Sequence, residues 1–94
     1  MADDKILTLH PQGKKGVNIS RAKYEIVKAV ILECLLAKTL THLELTECVS
    51  TKLKKGFEGS VPWYTESVKL DLEARKIIER VEQRGKVIYR LKKV

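Results

Sequence analysis

The sequence contains few aromatic, proline and sulfur-bearing residues. Among its 94 residues, 5% are Phe, Trp or Tyr, two are Pro, two are Cys and one is Met. Hydrophobic residues still make up 44% of the chain, so we expect a packed core that is mainly aliphatic. A chain of this length forms one small domain. The length therefore excludes a two-domain enzyme and a large buried cofactor cleft.

The two cysteines are too few for a disulfide framework. Cys34 and Cys48 both lie in apolar, periodic stretches, where a free cysteine behaves as a small buried hydrophobic residue. The sequence has no CxxC pair, and His10 and His42 are far apart, so no metal-site spacing is present. We therefore expect two buried free thiols, no metal and no cofactor.

Long apolar runs are also missing. The longest, residues 29–37, is interrupted by Glu33 and is too short to span a bilayer. The acidic start, residues 1–4, does not have the pattern of a signal peptide. These features predict a cytoplasmic, soluble protein that does not bind membranes. No set of nucleophile, base and orienting group stands out, so we expect neither an enzyme nor a small-molecule ligand.

Helical spacing and capping residues predict three helices. Ser20 is a suitable N-cap for the first helix, because Ser, Thr, Asp and Asn satisfy free backbone amides at helix starts. Thr41 and Glu44 have the spacing of a capping box for the second helix. Ser60, with Pro62 in the first turn, marks the start of the third. The core face of the first helix is expected to contain Tyr24, Val27, Ile31, Cys34 and Leu35.

The first helix carries a second apolar stripe, formed by Ala29, Leu32 and Leu36. A helix that is covered on one side only would be polar at these positions. Two explanations remain open. Either a short N-terminal strand around residues 6–9 lies across the stripe, or the stripe is the interface of a homodimer.

After the third helix the hydrophobic period changes to that of strands. Residues 77–81 and 87–91 are expected to form two strands. Between them, Gly85 stands at a turn position that needs a positive φ angle. The end of the chain is therefore expected to form a β-hairpin.

Several motifs in this order resemble the winged helix-turn-helix fold. Residues 40–46 look like the "L-T-x-x-E-L" motif that opens the second helix of such domains, and residues 70–80 are similar to their "L-x-x-L-E-x-x-G-x-I-x-R". Gly85 and residues 89–91 resemble the wing tip and the closing "Y-x-L" strand. These matches cover residues 25–93, and the whole chain also resembles short, functionally uncharacterised bacterial winged-helix proteins.

The resemblance implies an α+β fold in one domain, residues 1–94. It would consist of an N-terminal arm (1–19), a three-helix core (20–76) and a β-hairpin wing (77–93). Two features differ from the usual pattern. The loop over 55–61 is longer than a tight helix-turn-helix connection, and Arg75-Lys76 stands where the family often has Gly.

The net charge of +7 is unevenly distributed. Residues 82–94 contain five basic residues and one acidic residue, whereas residues 56–81 contain four basic and five acidic ones. In a winged helix, the third helix would be the one that enters the major groove of DNA. The third helix lies in residues 56–81, the segment with more acidic than basic residues. Contacts to phosphates are therefore expected mainly from the wing and the end of the second helix. Such contacts position a protein on DNA without reading its sequence.

The sequence thus predicts a winged-helix protein that binds nucleic acid, with double-stranded DNA as its partner and a role in transcriptional regulation. An alternative is a protein–protein interaction module or homodimer that does not bind DNA, in which the basic side chains only solvate an exposed hairpin and helix end. The candidate phosphate-binding residues are Lys52, Lys54, Lys55, Lys69, Arg84, Lys86, Arg90, Lys92 and Lys93.

Overall fold

A computed structural model describes residues 4–53, 57 and 59–92. Within these residues the chain has an α+β fold with three helices, a two-stranded sheet and a three-stranded sheet, all strand pairs being antiparallel. No helix among them is both long and apolar enough to cross a membrane. In chain order the elements are β1 (Lys5–Leu7), β2 (Asn18–Ser20), α1 (Arg21–Ala37), β3 (Leu40–Thr41), α2 (His42–Leu53), α3 (Val61–Ala74), β4 (Ile78–Gln83) and β5 (Lys86–Leu91).

The three predicted helix starts are confirmed by their caps. The Ser20 hydroxyl accepts a hydrogen bond from the Lys23 amide at 3.4 Å. At the start of α2, the Glu44 amide donates to the Thr41 hydroxyl (3.2 Å) while the Thr41 amide donates to Glu44 Oε1 (2.9 Å). This reciprocal capping box satisfies two backbone donors that the helix itself cannot pair. Ser60 caps α3 in the same way as Ser20 caps α1.

The C-terminal hairpin has a tighter turn than its sequence suggests. Residues 82–86 were expected to form the turn, but the β4–β5 ladder runs to the Gln83–Lys86 pair, so only Arg84 and Gly85 connect the strands. Both have positive φ angles, 51° and 79°. Two consecutive positive φ angles define a type I′ turn, whose twist matches that of the two strands. The predicted conformation of Gly85 is confirmed, and the turn also holds Arg84 at the tip.

The hairpin is joined to the helical part through β3, which pairs with β5 so that the sheet order is β3–β5–β4. Leu40 lies opposite Tyr89 in this pairing. The core fills the space between the sheet and the three helices. Its side chains without solvent exposure include Val27, Ile31, Leu45, Val49, Val68 and Leu72.

The N-terminal segment forms a hairpin of its own, in which Ile6 lies opposite Ile19. The Thr8 amide donates to the Val17 carbonyl at 2.9 Å. Gly16 permits this close approach, because a Cβ atom there would lie 1.7 Å from the Thr8 carbonyl oxygen. This hydrogen bond closes the base of the segment that joins the two strands, residues 8–17.

This N-terminal hairpin does not cover the second apolar stripe of α1. The Leu36 side chain is 76% exposed, Ala29 is exposed and Leu32 is half-buried. The arm instead reaches the start of α1, where the Arg21 amide donates to the Asp4 carbonyl at 2.8 Å. The expectation that the N-terminal strand lies across this stripe is therefore wrong.

The expectation of two free thiols is also wrong. Cys34 of α1 and Cys48 of α2 form a disulfide, with their Cα atoms 6.3 Å apart. Helical spacing correctly indicates that both residues point toward the interior. Whether two such side chains meet depends on how the helices cross, and this is decided by tertiary packing.

Candidate nucleic-acid interface

Two of the nine predicted phosphate-binding residues lie at the tip of the hairpin. Arg84 is the first residue of the type I′ turn, and Lys86 begins β5. Both side chains are exposed. Neither has a carboxylate within 4.0 Å among the residues that the structure describes. The tip therefore presents two cations whose charge is not offset by a bound carboxylate.

The field of Lys86 extends to the start of α2. The pKa of Glu44 is lowered mainly by its hydrogen bond from the Thr41 amide, with smaller contributions from the ammonium groups of Lys38 and Lys86. Lys86 begins β5, the strand that lies beside α2.

Two further candidates are engaged in exposed ion pairs. Arg90 Nε donates to Glu79 Oε2 at 2.5 Å, and Lys52 Nζ donates to Glu33 Oε1 at 2.8 Å. Exposed pairs of this kind contribute about 0–1 kcal/mol. Their carboxylates nevertheless offset the field of the two cations. Lys92 lies beyond the end of β5, where its amide donates to the Ile77 carbonyl at 3.1 Å. Lys54, Lys55 and Lys93 lie outside the described residues.

Lys69 is not a surface cation, and its assignment to a phosphate contact is corrected. Lys69 is only 4% exposed. Its Nζ atom lies 3.1 Å from the Tyr89 hydroxyl and 3.0 Å from His42 Nδ1. The ammonium group also lies 4.2 Å from the centroid of the Tyr89 ring. Thr65, one turn earlier on the same side of α3, is fully buried as well. The side chain of Tyr89, projecting from β5, contacts the Lys69 ammonium group on this side.

Burial and this contact both favour the neutral form of His42. Because an ammonium group can only donate, Nδ1 of His42 accepts the hydrogen bond and its ring proton is on Nε2. Burial lowers the pKa of His42, the positive charge of Lys69 lowers it further, and Glu66 opposes both. Lys69, His42 and Tyr89 form a polar contact that joins α3, α2 and β5.

The solvent-facing side of α3 carries no positive charge. Lys69 is the only basic residue between Val61 and Ala74. Trp63 is 46% exposed and Glu66 is exposed, while Leu70 and Ala74 are half-buried. A helix with this surface cannot bind phosphates through its own side-chain cations. The outer side of α3 is thus uncharged or negative at its surface.

A buried carboxylate holds the helices in place and was not singled out from the sequence. Asp71 has no solvent exposure and accepts hydrogen bonds from the Leu9 amide (2.8 Å), from Arg75 Nε (2.9 Å) and from the Tyr24 hydroxyl. Burial, together with the hydrogen bond to Asp71, raises the pKa of Tyr24 to about 12. The available signal was an aspartate between Leu70 and Leu72 on an amphipathic helix, four residues before an arginine.

No group of His, Cys, Asp and Glu side chains is arranged to hold a metal in the described ranges 4–53 and 59–92 or at Phe57. Comparison with protein-family models matches residues 5–88 to a family of unknown function, DUF6958. No curated protein and no solved structure matches the chain.

Proposed function

We propose that this chain, which belongs to the DUF6958 family of unknown function, is a winged-helix domain that binds the phosphate backbone of nucleic acid through its hairpin tip. The element order α1–β3–α2–α3–β4–β5 and the sheet order β3–β5–β4 support the winged-helix assignment. The observation that carries the binding proposal is the tip itself, where Arg84 and Lys86 are exposed and have no carboxylate within 4.0 Å in the described structure.

The proposed binding is not selective for sequence. Base edges in the major groove are read by donors and acceptors on an inserted element, most often Arg or Lys to guanine. The outer side of α3 offers Trp63 and Glu66 and no surface cation. The Glu66 carboxylate would lie close to phosphates in most orientations and would weaken binding there. Contacts from the tip supply affinity that depends on charge and is similar for unrelated duplexes.

The experiment is a fluorescence-anisotropy titration of a labelled duplex at low salt. It compares the wild type with the double variant Arg84→Gln/Lys86→Gln. The matched control is Lys14→Gln/Lys15→Gln, which removes the same charge from an exposed part of the N-terminal loop. We expect the tip variant to bind at least about tenfold more weakly, because two phosphate contacts are lost. The control should change binding less than about threefold.

Two results would contradict the proposal. Absence of binding by the wild type at low salt would remove nucleic acid as the partner. Equal loss in the tip variant and the control would show that only net charge matters, and not the hairpin tip.

A second candidate function, a homodimer without DNA binding, is favoured by the uncovered stripe of α1. Ala29, Leu32 and Leu36 line a groove of about 480 Å³ together with Ile77 and Leu91. Exposed apolar surface of this kind marks interaction sites in many soluble proteins. A second copy of the chain is the partner that would bury the same stripe on both sides of a two-fold axis.

Sedimentation equilibrium tests this candidate. If the stripe is the interface, Leu36→Glu should convert a dimer to a monomer. The control is Leu43→Glu, which places the same charge at a 68% exposed leucine on α2 and should leave the dimer intact. A wild type that is monomeric at high concentration would exclude the homodimer.

A further inference from the structure

The disulfide between α1 and α2 lies at the wall of an open groove. Cys34 is only 2% exposed, whereas Cys48 is half-buried. Both cysteines line this groove, whose volume is about 460 Å³. Lys38 and Lys52 also line it, beside three carboxylates. A small thiol can therefore approach the disulfide from the groove, and it meets Cys48 on the more accessible side.

The packing of α1 against α2 does not depend on the disulfide alone. Val27 and Ile31 of α1, and Leu45 and Val49 of α2, have no solvent exposure. The Glu33–Lys52 ion pair forms a second direct link between the two helices. The apolar contacts are the larger contribution, since each buried aliphatic side chain stabilises a core by about 1.5–3 kcal/mol. The helix pair is thus expected to remain folded when the disulfide is opened.

We propose that Cys34–Cys48 is a thiol–disulfide exchange site that reacts with a dithiol while the protein is folded, with Cys48 as the sulfur attacked. A thiolate of the dithiol forms a bond to Cys48 Sγ, and the electron pair of the Cys34–Cys48 bond leaves on Cys34 Sγ, which takes up a proton. The second thiol of the dithiol then displaces Cys48, which leaves as a thiolate and is protonated in turn. The protein gains two electrons and two protons, and the dithiol becomes a disulfide. Oxidation by a disulfide is the same sequence in reverse.

The exchange would alter the stability of the domain reversibly. The bond closes a loop with a sequence separation of 14 residues. In the chain-entropy description, opening a loop of about this size lowers the equilibrium constant for folding by roughly 100-fold. The reduced form stays folded if the protein has the usual stability of a domain of this size.

The rate of reduction tests whether the native protein reacts. Reduction by dithiothreitol at a fixed concentration is followed by acid quench and mass spectrometry, at a series of urea concentrations below the unfolding transition. Direct attack on the folded protein predicts a rate constant that hardly changes with urea. A rate constant that rises with urea as steeply as the equilibrium constant for unfolding would overturn the proposal, because the disulfide would then be accessible only after unfolding.

The groove is tested with two alanines on α1. Ala37 lines the groove and Ala22 does not, and both are exposed. Ala37→Phe should slow reduction at least about fivefold, whereas Ala22→Phe should leave the rate within twofold of the wild type. Equal rates in the two folded variants would overturn the role of the groove. The urea dependence in the wild type decides on native-state attack whether or not either variant folds.

The attacked sulfur is identified with glutathione. A monothiol leaves a mixed disulfide on the sulfur that it attacked, and rapid alkylation then labels the other cysteine. We expect glutathione on Cys48 and the alkyl label on Cys34. The opposite assignment, or an even distribution, would contradict the accessibility argument.

Discussion

The carboxylate of Asp71 should be the most sensitive polar position in this fold. It accepts hydrogen bonds from three segments, namely from the Leu9 amide of the N-terminal arm, the Tyr24 hydroxyl of α1 and Arg75 Nε just after α3. Asp71→Ala removes both acceptor oxygens and with them all three hydrogen bonds. Arg75 and the Leu9 amide belong to exposed residues and can turn to water, but the Tyr24 residue is buried. Its hydroxyl would be left without a partner.

The expected destabilisation follows from these environments. Loss of a hydrogen bond to a charged group costs about 1.5–3 kcal/mol, and a buried hydroxyl without a partner costs about 1–3 kcal/mol. Asp71→Ala should therefore lower the free energy of unfolding by about 3–5 kcal/mol. Domains of this length have a total of about 5–14 kcal/mol. Tyr24→Phe removes the hydroxyl without orphaning a donor, so it should cost only about 1–2 kcal/mol.

Urea unfolding followed by circular dichroism measures these differences. In the double variant Tyr24→Phe/Asp71→Ala no hydroxyl remains to be orphaned, so its destabilisation should be smaller than the sum of the two single variants by about 1–3 kcal/mol. Strict additivity, or a loss below about 1 kcal/mol for Asp71→Ala, would refute the reasoning. Retention of the denaturant m-value would show that the variants still fold to a comparable compactness.

Two further predictions concern the pH dependence and the N-terminal hairpin. The lowered pKa of His42 means that its neutral form is favoured in the folded state, so stability should fall as pH decreases below about 6.5, where the unfolded chain takes up the proton. Urea midpoints measured between pH 5 and 8 give the slope of stability against pH. This slope should be weaker in His42→Gln, which keeps an acceptor for Lys69. A slope that the substitution leaves unchanged would refute the prediction. Gly16→Ala should open the N-terminal hairpin at a cost of about 1–3 kcal/mol, because its Cβ would collide with the Thr8 carbonyl. In Gly16→Ala, hydrogen exchange of the Thr8 amide should be much faster than in the wild type. In the control Gly13→Ala it should change much less, because a Cβ at that position meets nothing within 4 Å.

Features that depend on neighbouring residues along the chain could be predicted from the sequence. The capping box of Thr41 and Glu44 and the caps at Ser20 and Ser60 involve residues three positions apart, and all are present. The positive φ angle of Gly85 follows from the hairpin turn alone. Local chemistry was sufficient for these elements because few alternative arrangements satisfy the same backbone groups.

Features that depend on the meeting of distant segments could not be predicted. The Cys34–Cys48 bond, the burial of Lys69 against Tyr89 and the contact of Asp71 with the N-terminal arm all join different elements. Helical spacing shows which side a residue faces, but the covering element and its distance are decided by packing. This is also why three candidate cations lost their role as free surface charges: Lys69 is buried, and Arg90 and Lys52 are paired.

The salt dependence of duplex binding tests the central claim most directly. Affinity is measured between about 50 and 200 mM salt for two duplexes of unrelated sequence, with the wild type and Arg84→Gln/Lys86→Gln. Each phosphate contact contributes about −0.9 to the slope of log K against log salt concentration. The account predicts equal slopes for both duplexes and a slope that is weaker by about two in the tip variant. A slope that the tip substitutions leave unchanged, or a clear preference for one duplex, would contradict backbone binding through the hairpin tip.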